Sequence, residues 1–397
     1  MSAVPTVRCE AVVDLAAIRH NLRAVRGLVP ARVRVMAVVK ADGYGHGAVA
    51  VAEAAQHAGA DMLGVATLGE ALDLHRAGIG GRIACWLWVP ADTDLAATVA
   101  AGVEIGISSR EHLAAVRRVA ALRPSSRGGG VAVHLKLDSG LGRNGVGPAE
   151  FSAFAAAVLE AQRAGEIRVV GVMSHLASAD VPGDDSVGEQ QRTFEAAVRE
   201  LAQLGISADR HLANTAGTIS HPELHHDMVR IGIGLYGFDP LGGAGPPAAP
   251  ALRPAMTLRA SVALTKRVPA GHGVSYGLTY RTGQETTLAL IPLGYADGIP
   301  RAASGRAEVL VAGRRRRIAG RVAMDQFVVD CGDDPVAVGD EVLLFGPGGH
   351  GEPTATEWAT ACGTIDYEIV TRIGARVPRR WVGRQTDRTA QPAEGIG

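Results

Sequence analysis

Short apolar runs alternate along the first part of the chain with segments that carry apolar residues at spacings of three and four. Eight such runs precede residue 240, at 33–40, 61–67, 82–88, 103–108, 131–138, 168–175, 209–214 and 228–236. Each has the length of a buried strand, and continuous apolar runs are what strands covered on both faces require. Helical spacing fills most of the gaps, at 69–78, 110–123, 148–165 and 189–205, and several of these segments end at glycine, a common helix terminator. Eight strands alternating with helices predict an α/β fold, a (β/α)8 TIM-like barrel over residues 1–240, with its site at the carboxyl ends of the strands. The Gly- and Pro-rich stretch 239–254 marks a boundary. Beyond it, period-two runs at 257–268, 286–293, 307–311, 321–330 and 341–345, with one short helix at 354–361, predict a mainly β C-terminal domain over 241–384. The polar tail 385–397 is expected to be disordered.

Polar residues collect at the predicted strand ends. Lys40 closes the first strand, Arg143 follows the fifth, His175 closes the sixth, Asn214 and Thr215 follow the seventh, and Arg230 with Gly232 lies on the eighth. Lys40 begins Lys40-Ala41-Asp42-Gly43-Tyr44-Gly45-His46-Gly47, whose glycines permit a tight turn. It is either a surface lysine just past a core strand or a partly desolvated amine suited to Schiff-base chemistry. Lys136 stands inside an apolar strand on the same face as His134 and Asp138. A buried cation there needs Asp138 as a partner or needs its charge removed chemically. Arg143, on a glycine-flanked loop, suits a carboxylate or phenolate. The glycines of the run 228–237, which closes the barrel, suit a backbone phosphate cradle, and Thr215 adds a hydroxyl at a helix start. Tyr276, Tyr295 and Tyr367 lie beside Gly-rich turns of the second domain, as packing residues or, with a lowered phenol pKa, as acids or bases.

Charge narrows the partners. Lys plus Arg and Asp plus Glu both number 40, so no long-range field draws nucleic acid or an anionic membrane, and a small neutral or zwitterionic ligand fits better. Four scattered cysteines without a CxxC pair, no signal peptide and no long apolar span point to a reduced, soluble, cytoplasmic protein. His221, His225 and His226 lack the companions of a metal site, and none is expected. The run Arg314 to Arg317 reads as a solvated hairpin face.

Together these segments resemble the alanine racemase family, fold-type III pyridoxal 5′-phosphate enzymes, from about residue 7 to residue 383. The likeness rests on Val39 to Gly47, Val274-Ser275-Tyr276-Gly277, Gly294-Tyr295-Ala296-Asp297-Gly298, Gly320 to Gln326 and Tyr367-Glu368-Ile369, in family order. It implies an isomerase that interconverts L- and D-alanine with two bases, Lys40 and Tyr276, supplying D-alanine for peptidoglycan. By the resemblance Lys40 carries the cofactor covalently, Tyr44, Thr215, Gly232, Ile233 and Tyr367 surround the phosphate, and Asn214 is a further cofactor-binding residue. Arg143 contacts the cofactor's phenolic oxygen and the substrate carboxylate, and Lys136 is carbamylated. Arg230 meets the pyridine nitrogen and His175 orients it. Met324, Tyr276 and Tyr295 line the substrate approach from a partner subunit, so a homodimer with shared sites is implied. Ala323 stands where cysteine is frequent in the family, Asn144 where an aliphatic residue is, and Thr215 where serine is. A broad-specificity or serine racemase of the same fold is the alternative. A basic amino-acid decarboxylase would carry an acid in place of Arg230, and a single-barrel cofactor-binding protein would lack the domain that holds Tyr276.

Overall fold

The computed structural model describes residues 7–122, 129–247 and 249–384. The expected disordered tail 385–397 and the last residue of the helix expected at 110–123 lie outside these. Strand β1, Cys9–Asp14, comes before the barrel. The barrel strands follow as β2 (Arg34–Val38), β3 (Met62–Val65), β4 (Ile83–Cys85), β5 (Glu104–Ile107), β6 (Val131–Lys136), β7 (Ile167–Met173), β8 (Asp209–His211) and β9 (Met228–Ile231). They pair in parallel in the order β8-β7-β6-β5-β4-β3-β2-β9. Between β9 and β8 a full ladder gives way to two backbone bonds, Asp227 N to Arg210 O at 3.1 Å and Arg230 N to Ala213 O at 3.0 Å, which leaves the ring nearly closed. Every residue of β3, β4, β5 and β9 is buried, as expected for strands covered by helices outside and side chains within.

The helices are set by local signals. Leu15–Arg26 starts at Asp14, whose carboxylate accepts from Ala16 N, and buries Leu15, Ile18, Leu22 and Val25 as one stripe. Leu68–Arg76 begins with a capping box formed by Thr67 and Glu70. The remaining predicted helices appear as Arg110–Ala121, Pro148–Arg163 and Ser186–Gln203.

Beyond the barrel lies a mainly β unit. Its six-stranded sheet runs Arg314–Arg317, Glu308–Val311, Glu341–Phe345, Met256–Ser261, β1, Arg379–Val382. β1 pairs antiparallel with Met256–Ser261 and parallel with Arg379–Val382, so the first strand of the chain is built into the second unit's sheet. A three-stranded sheet joins Leu264–Val268, Thr286–Ile291 and Phe327–Asp330. The run expected as one strand at 257–268 breaks at Val262, whose N–H leaves the ladder for Asp340 O at 2.9 Å. The run expected at 321–330 is strand only from Phe327, because the Ala323 and Met324 carbonyls accept from Tyr295 N and Ala296 N at 3.1 and 2.9 Å. The run expected at 228–236 stops at Ile231, and a short helical turn, Ile233–Tyr236, follows Gly232. Arg314 to Arg317 form an edge strand with Arg315 paired to Glu357 and Arg316 to Asp334. The units are bonded together: Trp381 Nε1 donates to His46 O at 2.9 Å and Arg379 Nε to Gly45 O at 3.0 Å. Among the described residues no helix is long and apolar enough to cross a membrane.

Candidate active site

Lys40 does not simply end a strand. It opens a turn in which Ala41, Asp42, Gly43 and Tyr44 have φ of 52°, 52°, 60° and 51°, one turn of left-handed helix. Left-handed backbone costs a non-glycine residue roughly 1–2 kcal/mol, so the surroundings must hold it. Glu70 does part of this: Oε1 accepts from Ala41 N at 2.7 Å while Oε2 accepts from Ala66 N at 2.8 Å. Asp42 Oδ1 accepts from Ala48 N at 2.9 Å. Gly45 is required by close approach as well as by φ, since a Cβ there would lie 2.4 Å from Val370 O. The turn aims Lys40 into a cavity of about 400 Å³ at the carboxyl ends of the barrel strands. Burial, then the positive charge of Arg143, lowers the Lys40 pKa, against a smaller opposing pull from Glu70.

Arg230 lies in the floor, 4% exposed. Nη1 donates to His211 O at 2.5 Å and Nη2 to Ser174 O at 2.7 Å and Leu212 O at 3.0 Å. His211 Nδ1 and His175 Nδ1 each lie 3.3 Å from one of these nitrogens. The four Nη hydrogens are thus committed to protein acceptors, while Nε has no hydrogen bond among the described residues. Guanidinium supplies five N–H donors and no acceptor, so the fifth is free for a ligand acceptor. Burial, then Arg230, pushes His175 down to about 2, so this imidazole is neutral at physiological pH. Burial, then the charges of Arg230 and Arg143, likewise drives Lys136 down to about 7. Asp138, the partner considered for it, instead accepts from Gly140 N and Gly142 N at 3.0 and 3.1 Å. No ion pair to Lys136 exists among the described residues.

One wall is built for an anion. Thr215 Oγ1 accepts from Gly232 N at 3.1 Å, and Asn214 caps the turn beneath it by accepting from Gly217 N at 2.9 Å. A Cβ at Gly232 would sit 2.6 Å from the Tyr44 hydroxyl, so glycine is what lets the phenol approach the backbone. Tyr44 stacks on Tyr236 with ring centroids 4.6 Å apart, and Tyr367 is 6.2 Å from Tyr44. Burial pushes Tyr44 up to about 12 and also raises Tyr367. Both phenols therefore keep their protons and serve as donors. Helix Asp366–Thr371 of the second unit brings Tyr367 to the cavity, with Ile233 completing this side.

His134, Asp138 and Gly234 stay outside this cavity, while Lys40, Tyr44, Lys136, Arg143, His175, Asn214, Thr215, Arg230, Gly232, Ile233 and Tyr367 line it. Tyr276, Tyr295 and Met324 do not. They stand on the second unit at 70%, 42% and 54% exposure, unusual for such side chains. Ser275, Gly277 and Leu278 hold φ of 60°, 73° and 48° around Tyr276, and Ser275 Oγ donates to Arg321 O at 2.7 Å. Buried Asp297 accepts from Gly294 N at 2.9 Å and Arg8 Nη2 at 3.1 Å, which fixes the turn bearing Tyr295. Two contributors escaped the sequence reading. The Thr67-to-Glu70 spacing is a capping-box signal that could have drawn attention to Glu70, but its grip on Ala41 has no such signal. Trp86 lines the cavity because glycines on the neighbouring strands make room: a Cβ at Gly64 or Gly106 would lie 2.9 or 2.8 Å from Trp86 atoms. His221, His225 and His226 disperse, with His221 Nδ1 on Glu223 at 3.0 Å and His225 Nε2 on Thr218 O at 2.8 Å.

Comparison with known proteins agrees with this architecture. The family model for the alanine racemase N-terminal domain matches residues 13–240, and that for the C-terminal domain matches residues 255–381. The chain is 53% identical over 383 residues to the alanine racemase of Frankia casuarinae, spanning 95% of this chain and 97% of that one. It is 50% identical over 384 residues to that of Streptomyces coelicolor, covering 95% and 96% of the two. The alanine racemase structure from D-cycloserine-producing Streptomyces lavendulae superposes with a TM-score of 0.91 at 50% identity, over 96% of this chain and 99% of that one. Two domain models matched in order, and relatives sharing half their residues almost end to end, establish that the chain belongs to the alanine racemase family.

Proposed function

We propose that the protein interconverts L- and D-alanine with pyridoxal 5′-phosphate held in the barrel cavity, as a cytoplasmic source of D-alanine for peptidoglycan. The observation that carries the reading is the Arg230 guanidinium, whose four Nη hydrogens are spoken for and whose Nε–H is left for the cavity. A pyridine nitrogen facing a donor-only group stays unprotonated. Such a ring activates the Cα–H bond only moderately, which suits reversible proton transfer better than transamination or decarboxylation.

The rest of the cavity fits the same cofactor. Lys40 offers a desolvated amine for the covalent link. Tyr44, Tyr367, Thr215, Asn214 and the backbone at Gly232 and Ile233 form the phosphate wall, with protonated phenols as donors. Arg143 binds the phenolic oxygen and the substrate carboxylate, and His175 packs beside Arg230. Lys136, with its pKa pushed down to about 7, is partly a free amine at neutral pH, and that form takes up carbon dioxide as a carbamate with release of a proton, which places an anion where a cation would stand among arginines. When bound, the cofactor acidifies the substrate Cα–H.

Racemisation then needs a base on each face of Cα. Lys40 Nζ takes the proton of D-alanine. The tyrosine is Tyr276 of a second copy of the chain, and it takes the proton of L-alanine. Exposure of Tyr276, Tyr295 and Met324 on one unit supports a homodimer in which each subunit completes its neighbour's site. In each turnover one base accepts a proton while the other donates one, so the pair finishes in the opposite protonation state. Reversal or exchange with water resets it. Assay of the purified protein with cofactor against alanine, serine and a basic amino acid tests the reading. Racemisation of alanine well ahead of the others supports it, comparable serine turnover would make this a broad-specificity racemase, and no racemisation would sink it.

A further inference from the structure

Beneath Arg230 the barrel core holds an unbroken line of polar side chains: His211 on β8, His134 on β6 and Glu104 on β5, at 0%, 1% and 7% exposure. Arg230 Nη1 lies 3.3 Å from His211 Nδ1, His211 Nε2 lies 3.0 Å from His134 Nδ1, and His134 Nε2 lies 2.7 Å from Glu104 Oε2. Arg82 clamps the far end, Nε on Oε1 at 2.7 Å and Nη2 on Oε2 at 3.0 Å. We infer that Glu104 and His134 are positioning residues for Arg230, acting through His211 along a one-way hydrogen-bond relay.

The direction follows from the two ends. Guanidinium only donates and an ionised carboxylate only accepts. His211 Nδ1 must therefore present a lone pair to Arg230, which puts the His211 proton on Nε2. His134 Nδ1 must accept that proton's bond, which puts the His134 proton on Nε2, facing the carboxylate. The opposite pair of tautomers sets two donors against each other at Arg230 and two acceptors against each other at Glu104. Placing an extra proton on His134 repairs only the Glu104 end. Burial, with the charges around it, holds His211 neutral. At Glu104 burial is outweighed by the bonds from His134 and Arg82, which hold the carboxyl down at about 2.

Room for the relay is built into the backbone. A Cβ at Gly171 would lie 2.0 Å from His134 Nδ1, and the β6–β7 register shifts between Val133 and His134. The imidazoles meet edge to face, with centroids 5.0 Å apart and planes at 87°. Buried networks that are satisfied throughout fix one arrangement. Here that arrangement seats the Nη edge of the guanidinium and turns Nε toward the cavity. Neither imidazole lines the cavity, so both act through Arg230. This inference rests on the proposed reading only in the use made of Arg230; the tautomers stand without it.

The test has two arms. Long-range ¹H–¹⁵N correlation on the full-length, cofactor-free protein, with ring-labelled histidine, should show two imidazoles at pH 8 with protonated Nε2 and bare Nδ1, assigned by their changes in His134→Phe. A His211 protonated on Nδ1, or doubly protonated, would overturn the relay whatever the enzyme catalyses. In the loaded enzyme, His134→Phe should lower kcat by roughly tenfold, the scale of losing an outer-shell partner, with a much smaller change in KM and more pyruvate released per racemisation. His134→Gln can accept from His211 and donate to Glu104, so it should restore most of the loss. Equal damage from Gln and Phe, or no effect from a folded Phe variant, would overturn the positioning role. If His134→Phe does not fold, the wild-type tautomers and the Gln variant still decide.

Discussion

Lys136 and Arg230, 3% and 4% exposed, are two buried cations acting on each other across the barrel mouth. After burial itself, the guanidinium is the largest influence pushing the Lys136 amine down to about 7. Such an amine is neutral and nucleophilic toward carbon dioxide at pH 8. With ¹³C-bicarbonate the protein should show a carbamate carbon signal that is absent from Lys136→Ala and fades as the pH is lowered through about 7. Lys136→Ala should reduce kcat/KM by roughly tenfold or more, the scale of a lost charged hydrogen bond, and short carboxylates should restore part of it. The sign of the linked stability is also fixed. The folded pKa lies below the ordinary 10.5, so the unfolded chain holds the proton more tightly and stability from this group falls as the pH drops from 10.5 toward 7. Lys136→Met should flatten that slope in melts run free of carbon dioxide.

Lys40→Ala removes the desolvated amine and leaves the phosphate wall intact. Cofactor should still bind, but borohydride should no longer fix it to the protein. Fixation to another lysine in the variant would remove Lys40 from its assigned role.

Much of this was legible from spacing because parallel barrel strands are short, continuous and apolar, and the fold puts its chemistry at one end of them. Lys40, Arg143, His175 and Arg230 stood out as polar residues at the ends of such runs. The left-handed turn at Ala41 to Tyr44 was not legible, because three of its four residues are not glycine and tertiary bonds, such as that from Ala41 N to Glu70, hold them there. β1 was missed because its partners, Met256–Ser261 and Arg379–Val382, are far away in sequence. Lys136, His134 and Asp138 share a face by alternation, yet Asp138 turns to the Gly140 and Gly142 amides, a loop geometry that periodicity does not encode. The His211–His134–Glu104 line joins three strands and shows only once the barrel is closed.

Gly232→Ala tests the phosphate wall. The added Cβ would stand 2.6 Å from the Tyr44 hydroxyl, and Tyr44 is held behind by its stack on Tyr236. The phenol must withdraw or the Gly232 backbone must shift, and either change removes a donor from the anion. Cofactor affinity should weaken by roughly tenfold, the scale of one hydrogen bond to a charged group, as read by equilibrium dialysis. The Lys40 linkage should still form at saturating cofactor. Unchanged affinity would place the phosphate elsewhere in the cavity.

Tyr276 is displayed at 70% exposure on a segment whose flanking residues Ser275 and Leu278 both have positive φ. Strain of that kind persists only where surrounding contacts impose it, and the bond from Ser275 to Arg321 O is one of them. If the phenol of one subunit serves the site of its neighbour, its loss must affect the two substrate enantiomers unequally. Tyr276→Phe keeps the ring and the packing and removes only the proton carrier. Exchange of the Cα proton of D-alanine with deuterated water should persist through Lys40, while abstraction from L-alanine should fall by roughly a hundredfold or more, the usual weight of a general base. Mixing Tyr276→Phe with Lys40→Ala protein should then restore activity, because a dimer of one of each contains one site with both bases. Equal loss of exchange from both enantiomers, or no recovery on mixing, would remove Tyr276 from the opposite face.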